Sequence, residues 1–373
     1  MIDRSSYCFD IHHTLSLKFY NGVIEAGPCC LADHIRLDAN STTNDFWNDP
    51  FLINLRKENL EQHSVPHACR HCTQVERTGS DSRRTQHLKF YTDAELNRPG
   101  IRMLDIHLPN LCNLRCTICS PKDSSSWVAD AELLGQTIPA EYRYNKQINY
   151  DVTGLNIPTT IETVKFWGGE PLLTELHADF LEKLEQADLL KNIRVVYNTN
   201  GTTTVSDRVL DIWSRAKLVE LYFSIDDIEE RSDYQRFGSS WTEINNNLAW
   251  FAEHMPHNHL FYVMCSISAL NIHNLPALVE WKRKNFNQNR YGDETKLLFN
   301  PVHGPCSIST VSPEFLQQLT QRFAGYPELT NILEALAVVP GHRPVQFLDY
   351  VRQLDRIRNT NFSKVFPEYA NFL

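Results

Sequence analysis

Residues 101–120 read IRMLDIHLPNLCNLRCTICS. The first eight are rich in apolar and β-branched residues and predict a strand, because an apolar run of that length suits a pleated, buried segment. The loop that follows carries Cys112, Cys116 and Cys119, three residues and then two apart, with no fourth thiol beside them. A structural zinc site is closed by four ligands. A cuboidal iron–sulfur cluster held by three thiolates keeps one iron without a protein ligand, and that iron can take a small molecule.

Working outward, the same strand-then-loop pattern recurs. TVKFWGG (163–169), NIRVVYNTNG (192–201), LVELYFSID (218–226), LFYVMCSISAL (260–270) and TKLLFNPV (295–302) read as five more strands. Helical stretches separate them, around 124–136 and in LTELHADFLEKLEQADLL, SDRVLDIWSRA, SWTEINNNLAWFAEH and LPALVEWKRKNF. Strands alternating with helices at this spacing predict an α/β fold with a parallel sheet. Six units fall short of a closed eight-fold barrel, so a partial (β/α)6 barrel is expected. In such folds the chemistry sits where strands end, and the cysteine loop, FWGGEP, NTNG and SIDD all follow strands.

Composition bounds the class. The 373 residues, 42% hydrophobic and 22% charged, describe a folded chain of about two domains. A formal net charge of -9 argues against a nucleic-acid partner, which needs concentrated Lys and Arg. The start MIDRSSYCFDIHHTLSL has no signal-peptide pattern and no apolar run reaches membrane-spanning length, so a cytoplasmic location is expected. Ten cysteines in that setting are not disulfides, and seven cluster at short spacing.

With these motifs in place the chain resembles the radical S-adenosylmethionine (SAM) superfamily. The C-x3-C-x2-C loop with Ile118 before its last Cys, and Gly168, Gly169, Glu170 and Pro171 as its GGEP element, carry the resemblance over about 100–305. It implies a 4Fe–4S cluster on Cys112, Cys116 and Cys119, with SAM on the open iron. The implied activity is reductive cleavage of a SAM carbon–sulfur bond, followed by hydrogen abstraction from a small-molecule or peptide substrate. A reductant such as flavodoxin or ferredoxin would supply the electron. Gly168 and Gly169 would let backbone carbonyls approach the methionine ammonium, with Glu170 tying the loop down or bonding that group. By the same resemblance Ser224 and Asp226 would contact the ribose or methionine part, Arg236 the methionine carboxylate, and Asn271 the cofactor.

A second pattern precedes the core: Cys8, a strand with Asn-Gly, GPCCL (Cys29, Cys30) and HACRHC (Cys69, Cys72). It resembles the SPASM/twitch auxiliary-cluster module, here placed first rather than after the core. The resemblance implies a second 4Fe–4S cluster on Cys8, Cys69, Cys72 and either Cys29 or Cys30, acting in electron transfer. Family spacing favours Cys29, yet two extra residues in the gap leave both open. Zinc is the competing reading, with His34, His67 or His71 as nitrogen ligands, and a non-catalytic zinc scaffold is the rival function. Cys306, after the sixth strand, is a candidate hydrogen-atom donor that packing would equally explain; Cys265, inside a strand, is expected to be core. The polar run 76–87 is expected as a linker, giving an auxiliary domain 1–95, a radical core 96–311 and a helical extension 312–373.

Overall fold

The computed structural model describes residues 2–38, 41–77, 82–144, 152–286, 296–330, 332 and 344–371. Among the described residues nine strands form one sheet: β1 Thr14–Tyr20, β2 Val23–Gly27, β3 Ile35–Asp38, β4 Met103–His107, β5 Thr163–Trp167, β6 Arg194–Thr199, β7 Leu218–Ser224, β8 His259–Ile267 and β9 Leu297–Pro301. Their order is β3-β2-β1-β4-β5-β6-β7-β8-β9. The six expected strands are β4 to β9, and β4–β5, β5–β6 and β8–β9 pair in parallel.

The N-terminal segment extends this sheet. β1 lies parallel to β4, with Thr14 opposite Met103, and β2 and β3 fold back antiparallel. Asn21–Gly22 makes the β1–β2 turn, where Gly22 adopts a φ of 72° that other residues resist. Compact units divide the chain differently from the expected 1–95, 96–311 and 312–373. One unit comprises 1–110, 140–197 and 211–219; the other comprises 111–139, 198–210 and 220–373.

In the first unit, side chains alternate across the strands. Leu15, Leu17, Leu104, Ile106, Val164, Phe166, Val195 and Tyr197 are fully buried on one face. Helix Leu176–Gln186 covers that face, with Phe180 edge-on to Phe166 at 6.0 Å between ring centres. Each such side chain contributes about 1.5–3 kcal/mol when fully buried. In the second unit, Phe223 packs on Phe251 of helix Trp241–His254, and Leu354 of helix Pro344–Arg358 meets Trp127 and Ala131.

Within the expected linker, residues 78–81 lie outside the described residues, but Arg83–Phe90 is a helix. Ser82 caps it, accepting the Thr85 N–H at 3.2 Å. Only Leu88 is a buried apolar residue in that helix, which is why no apolar period announced it. Residues 287–290 of the basic run and Thr295 also lie outside the described residues.

Candidate functional site

The cysteine loop of the second unit is held by backbone groups rather than by regular structure. Arg115 N–H donates to Phe237 O at 2.9 Å and Thr117 N–H to Gln235 O at 2.7 Å. Ser124 and Ser126 hydroxyls donate to Leu114 O and Cys112 O, both at 2.6 Å, and the Trp127 indole donates to Cys116 O at 2.7 Å. The loop is thus fixed at Cys112 and Cys116. Arg358 enters from the C-terminal helix, donating to Asp130 Oδ2 at 2.8 Å, Thr117 Oγ1 at 3.2 Å and Arg115 O at 2.7 Å.

Donors are aimed at the sulfurs. Leu114 N–H lies 3.5 Å from Cys112 Sγ, Asn200 Nδ2 3.9 Å from the same sulfur, and Arg236 Nη1 3.9 Å from Cys116 Sγ. Burial pushes the Cys116 and Cys119 thiols up; Arg236 opposes this at Cys116, while Asp123 adds to it at Cys119. Thiols of this kind ionise when a cation displaces the proton. Donors pointing at sulfur suit an anionic thiolate or a cluster sulfide, so the residues fit the group the motif implies.

Arg236, buried at 6% exposure, has its Nη2 2.7 Å from Asp226 Oδ2. Its Nε is buried with no hydrogen-bond partner among the described residues. A fixed guanidinium with a spare donor beside the cysteine loop can receive a carboxylate. Asp226 is committed to that pairing and to the Ser266 N–H at 2.7 Å.

Asn271, expected by resemblance to contact the cofactor, is held by internal hydrogen bonds. It is fully buried, donates to Asp226 O and Ser266 O, both at 2.9 Å, and accepts from Ser268 N–H at 2.9 Å. Its hydrogen-bonding capacity is spent inside the chain, so it positions the Asp226 loop instead of presenting a group to a ligand. Ser224 sits half-buried at the end of β7. Cys306 is 2% exposed and burial pushes its thiol up to about 12, while Cys265 is fully buried.

GGEP belongs to the first unit. Gly168 has a φ of 130°, and a Cβ there would stand 2.5 Å from Leu108 O. Glycine is therefore required by the close approach of the β4 end, whatever else the loop binds. Gly169 follows it, half-buried. Glu170, 2% exposed, accepts the Leu172 N–H at 3.1 Å and so ties the loop down.

The N-terminal cysteines meet in the first unit. Cys8, Cys29, Cys69 and Cys72 line one cavity together with Asp10 and His71. All four are buried. Burial pushes Cys8 and Cys29 well up and Cys69 to about 12. Cys30 does not line the cavity; its sulfur lies 3.8 Å from Arg83 Nη1. His34 donates from Nδ1 to Ala32 O, 2.8 Å away. Among the described residues no three His, Cys, Asp or Glu converge tightly enough to share one metal ion. A four-iron cube spreads its thiolates over separate corners and does not require that convergence.

Sequence reasoning missed two groups that hold the loop. Asn200, in the NTNG motif after β6, accepts the Thr202 N–H at 2.9 Å, and its amide also faces Cys112. Arg358 lies more than 200 positions from the cysteines, and no local spacing could have pointed to it.

Among the described residues no helix is long and apolar enough to cross a membrane. Residues 106–281 match the family model described as the radical SAM superfamily. A GTP 3',8-cyclase from Synechocystis is 31% identical over 132 residues, covering 35% of this chain and 36% of the relative. One from Mycobacterium ulcerans is 37% identical over 100 residues, covering 26% and 24%. The chain thus matches about a quarter to a third of these relatives' length. Among solved structures, anSMEcpe with bound AdoMet and Cp18Cys peptide has a TM-score of 0.36 at 15% identity, over 60% of this chain and 59% of that one. Streptococcus suis SuiB bound to precursor peptide SuiA gives 0.36 at 14% identity, over 85% and 69%. With its cysteine loop, its GGEP element and the match over 106–281, the chain carries a radical SAM domain.

Proposed function

We propose that the chain is a radical SAM enzyme that reductively cleaves SAM and takes a hydrogen atom from a small-molecule or peptide substrate. Cys112, Cys116 and Cys119 would hold a 4Fe–4S cluster, and Cys8, Cys29, Cys69 and Cys72 a second one serving electron transfer. A 4Fe–4S cluster with SAM supplies a 5′-deoxyadenosyl radical when an electron is delivered. The chain's own residues orient and protect. Arg236 receives the methionine carboxylate through its free Nε, held in place by Asp226, which Asn271 in turn positions. Leu114 N–H and Asn200 stabilise negative charge on Cys112, and Arg236 does so on Cys116. Glu170 and Gly168 fix the loop after β5, and Ser224, at the end of β7, would meet the ribose. Cys306 lies 2% exposed, and its burial supports packing over hydrogen-atom donation.

The observation that carries this reading is the buried, spare Nε of Arg236 beside a sulfur of the three-cysteine loop. Replacing Arg236 with Gln tests it on reconstituted protein. The expected result is SAM binding weakened about tenfold or more with iron content kept, since a charge-assisted contact is lost. Undiminished SAM affinity would remove Arg236 from the site. Zinc in both cysteine groups would require four donors converging on one ion, which the described residues do not show.

A further inference from the structure

We infer that the polar face of β1, β4 and β5 is the substrate-recognition surface, and that it takes a molecule carrying a free ammonium group, received by Asp105. This rests on the enzyme reading above. On these strands the face opposite the helix-covered one carries Ser16 and Lys18, Asp105 and His107, and Lys165 and Trp167. Strand register aligns them in two rows, Ser16–Asp105–Lys165 and Lys18–His107–Trp167. A polar face of a sheet ordinarily meets water. Here Ser16, Asp105 and His107 are fully buried and Lys18 is 8% exposed.

Burial without hydrogen-bond partners marks the place. Both carboxylate oxygens of Asp105, the Ser16 hydroxyl and the Trp167 indole N–H are buried with no hydrogen-bond partner among the described residues. The cation facing Asp105, Arg83 Nη2, stands 3.9 Å away. Arg83 is already committed to Asp10, at 2.9 Å through Nε and 3.2 Å through Nη2. An unsatisfied buried carboxylate is costly, and such groups are retained where a ligand completes them.

Chemistry and chain direction name the occupant. Two open carboxylate oxygens offer acceptor sites only, which an ammonium with three N–H donors fills. Lys165, the register partner of Asp105, is half-buried and forms no ion pair among the described residues; its Nζ lies 5.8 Å from the Trp167 ring centre. It is free to meet an acidic group on the same substrate, as in an amino acid or a peptide end. β5 runs from Trp167 straight into Gly168 and Gly169, and β4 leads through 108–111 to Cys112. The face therefore immediately precedes both cofactor motifs along the chain.

The test is calorimetric titration of the reconstituted full-length protein with 6-aminohexanoate, hexanoate and GTP. The expected result is saturable binding of 6-aminohexanoate, absent for hexanoate, and weakened about tenfold or more in Asp105→Asn. Asp105→Asn removes a buried charge and is expected to melt no lower than wild type. Lys165→Gln, at a half-buried position, supplies a second variant and should weaken 6-aminohexanoate about threefold or more. No binding of 6-aminohexanoate to wild type, binding that both variants leave unchanged, or tight binding of GTP that Asp105→Asn does not alter would each overturn the inference. SAM cleavage by wild type is scored separately. Its failure would count against the enzyme reading, while failure of the titration alone would count against this surface.

Discussion

Arg358→Ala is expected to destabilise the second unit and loosen the cysteine loop together. The Arg358 side chain is 2% exposed and its partner Asp130 is fully buried. Truncation removes bonds of 2.8 Å to Asp130, 3.2 Å to Thr117 and 2.7 Å to Arg115 O. Removing one partner of a buried pair costs about 3–5 kcal/mol. Asp130 keeps Arg115 at 2.5 Å, a side chain 32% exposed, which points to the lower end. The guanidinium also lies 5.2 Å from the Trp127 ring centre and 5.0 Å from that of Phe237, adding about 0.5–1 kcal/mol between them. The sum is about 4 kcal/mol, or roughly 8–16 °C in melting temperature for a unit of the second one's size. Scanning calorimetry of wild type, Arg358→Ala and Arg358→Lys, with iron counted on the same samples, reads the effect. Lysine keeps the charge but not the three-way fork, so it should restore less than half. A fall under about 2 °C with iron unchanged would refute the claim that the C-terminal helix anchors the loop.

Gly168→Ala should cost about 3 kcal/mol in a urea titration, because its φ of 130° and the 2.5 Å approach to Leu108 O leave no room for a Cβ. Cys29→Ser should lose the N-terminal iron while Cys30→Ser keeps it, since Cys29 lines the cavity and Cys30 faces Arg83. The opposite pattern would reverse the assignment. Burial holds the Asp227 carboxyl up at about 6 against an ordinary 3.8, with Asn274, Ile228 N–H and Gln235 opposing. The folded state then binds the proton more tightly than the unfolded one, so stability falls as pH rises from about 4 to 6, by about 3 kcal/mol. Asp227→Asn should lack that decline, and parallel pH–stability curves for the two proteins would contradict it.

The strands of the core were legible because each is an apolar run of ordinary length bounded by turn residues. Thr163–Trp167 falls within two residues of its expected limits, and His259–Ile267 within three. The joining of β1 to β4 was not legible, since Thr14 pairs with Met103 across almost ninety positions and nothing local encodes it. A pattern read as a separate module therefore turned out to share the sheet. Cysteine spacing announced the loop itself, but side chains aimed at its sulfurs come from Asn200, just after β6, and Arg236, at the end of helix Glu229–Gln235. Asn271 stitches the Asp226 loop together, which a strand-end asparagine does not announce in sequence.

The central claim is radical chemistry at Cys112, Cys116 and Cys119. Anaerobic reconstitution, a count of iron and sulfide, and addition of dithionite and SAM test it directly, with Cys116→Ala beside the wild type. About eight irons per chain, 5′-deoxyadenosine from wild type and none from Cys116→Ala are expected. Zinc in place of iron with no 5′-deoxyadenosine, or equal product from Cys116→Ala, would contradict it.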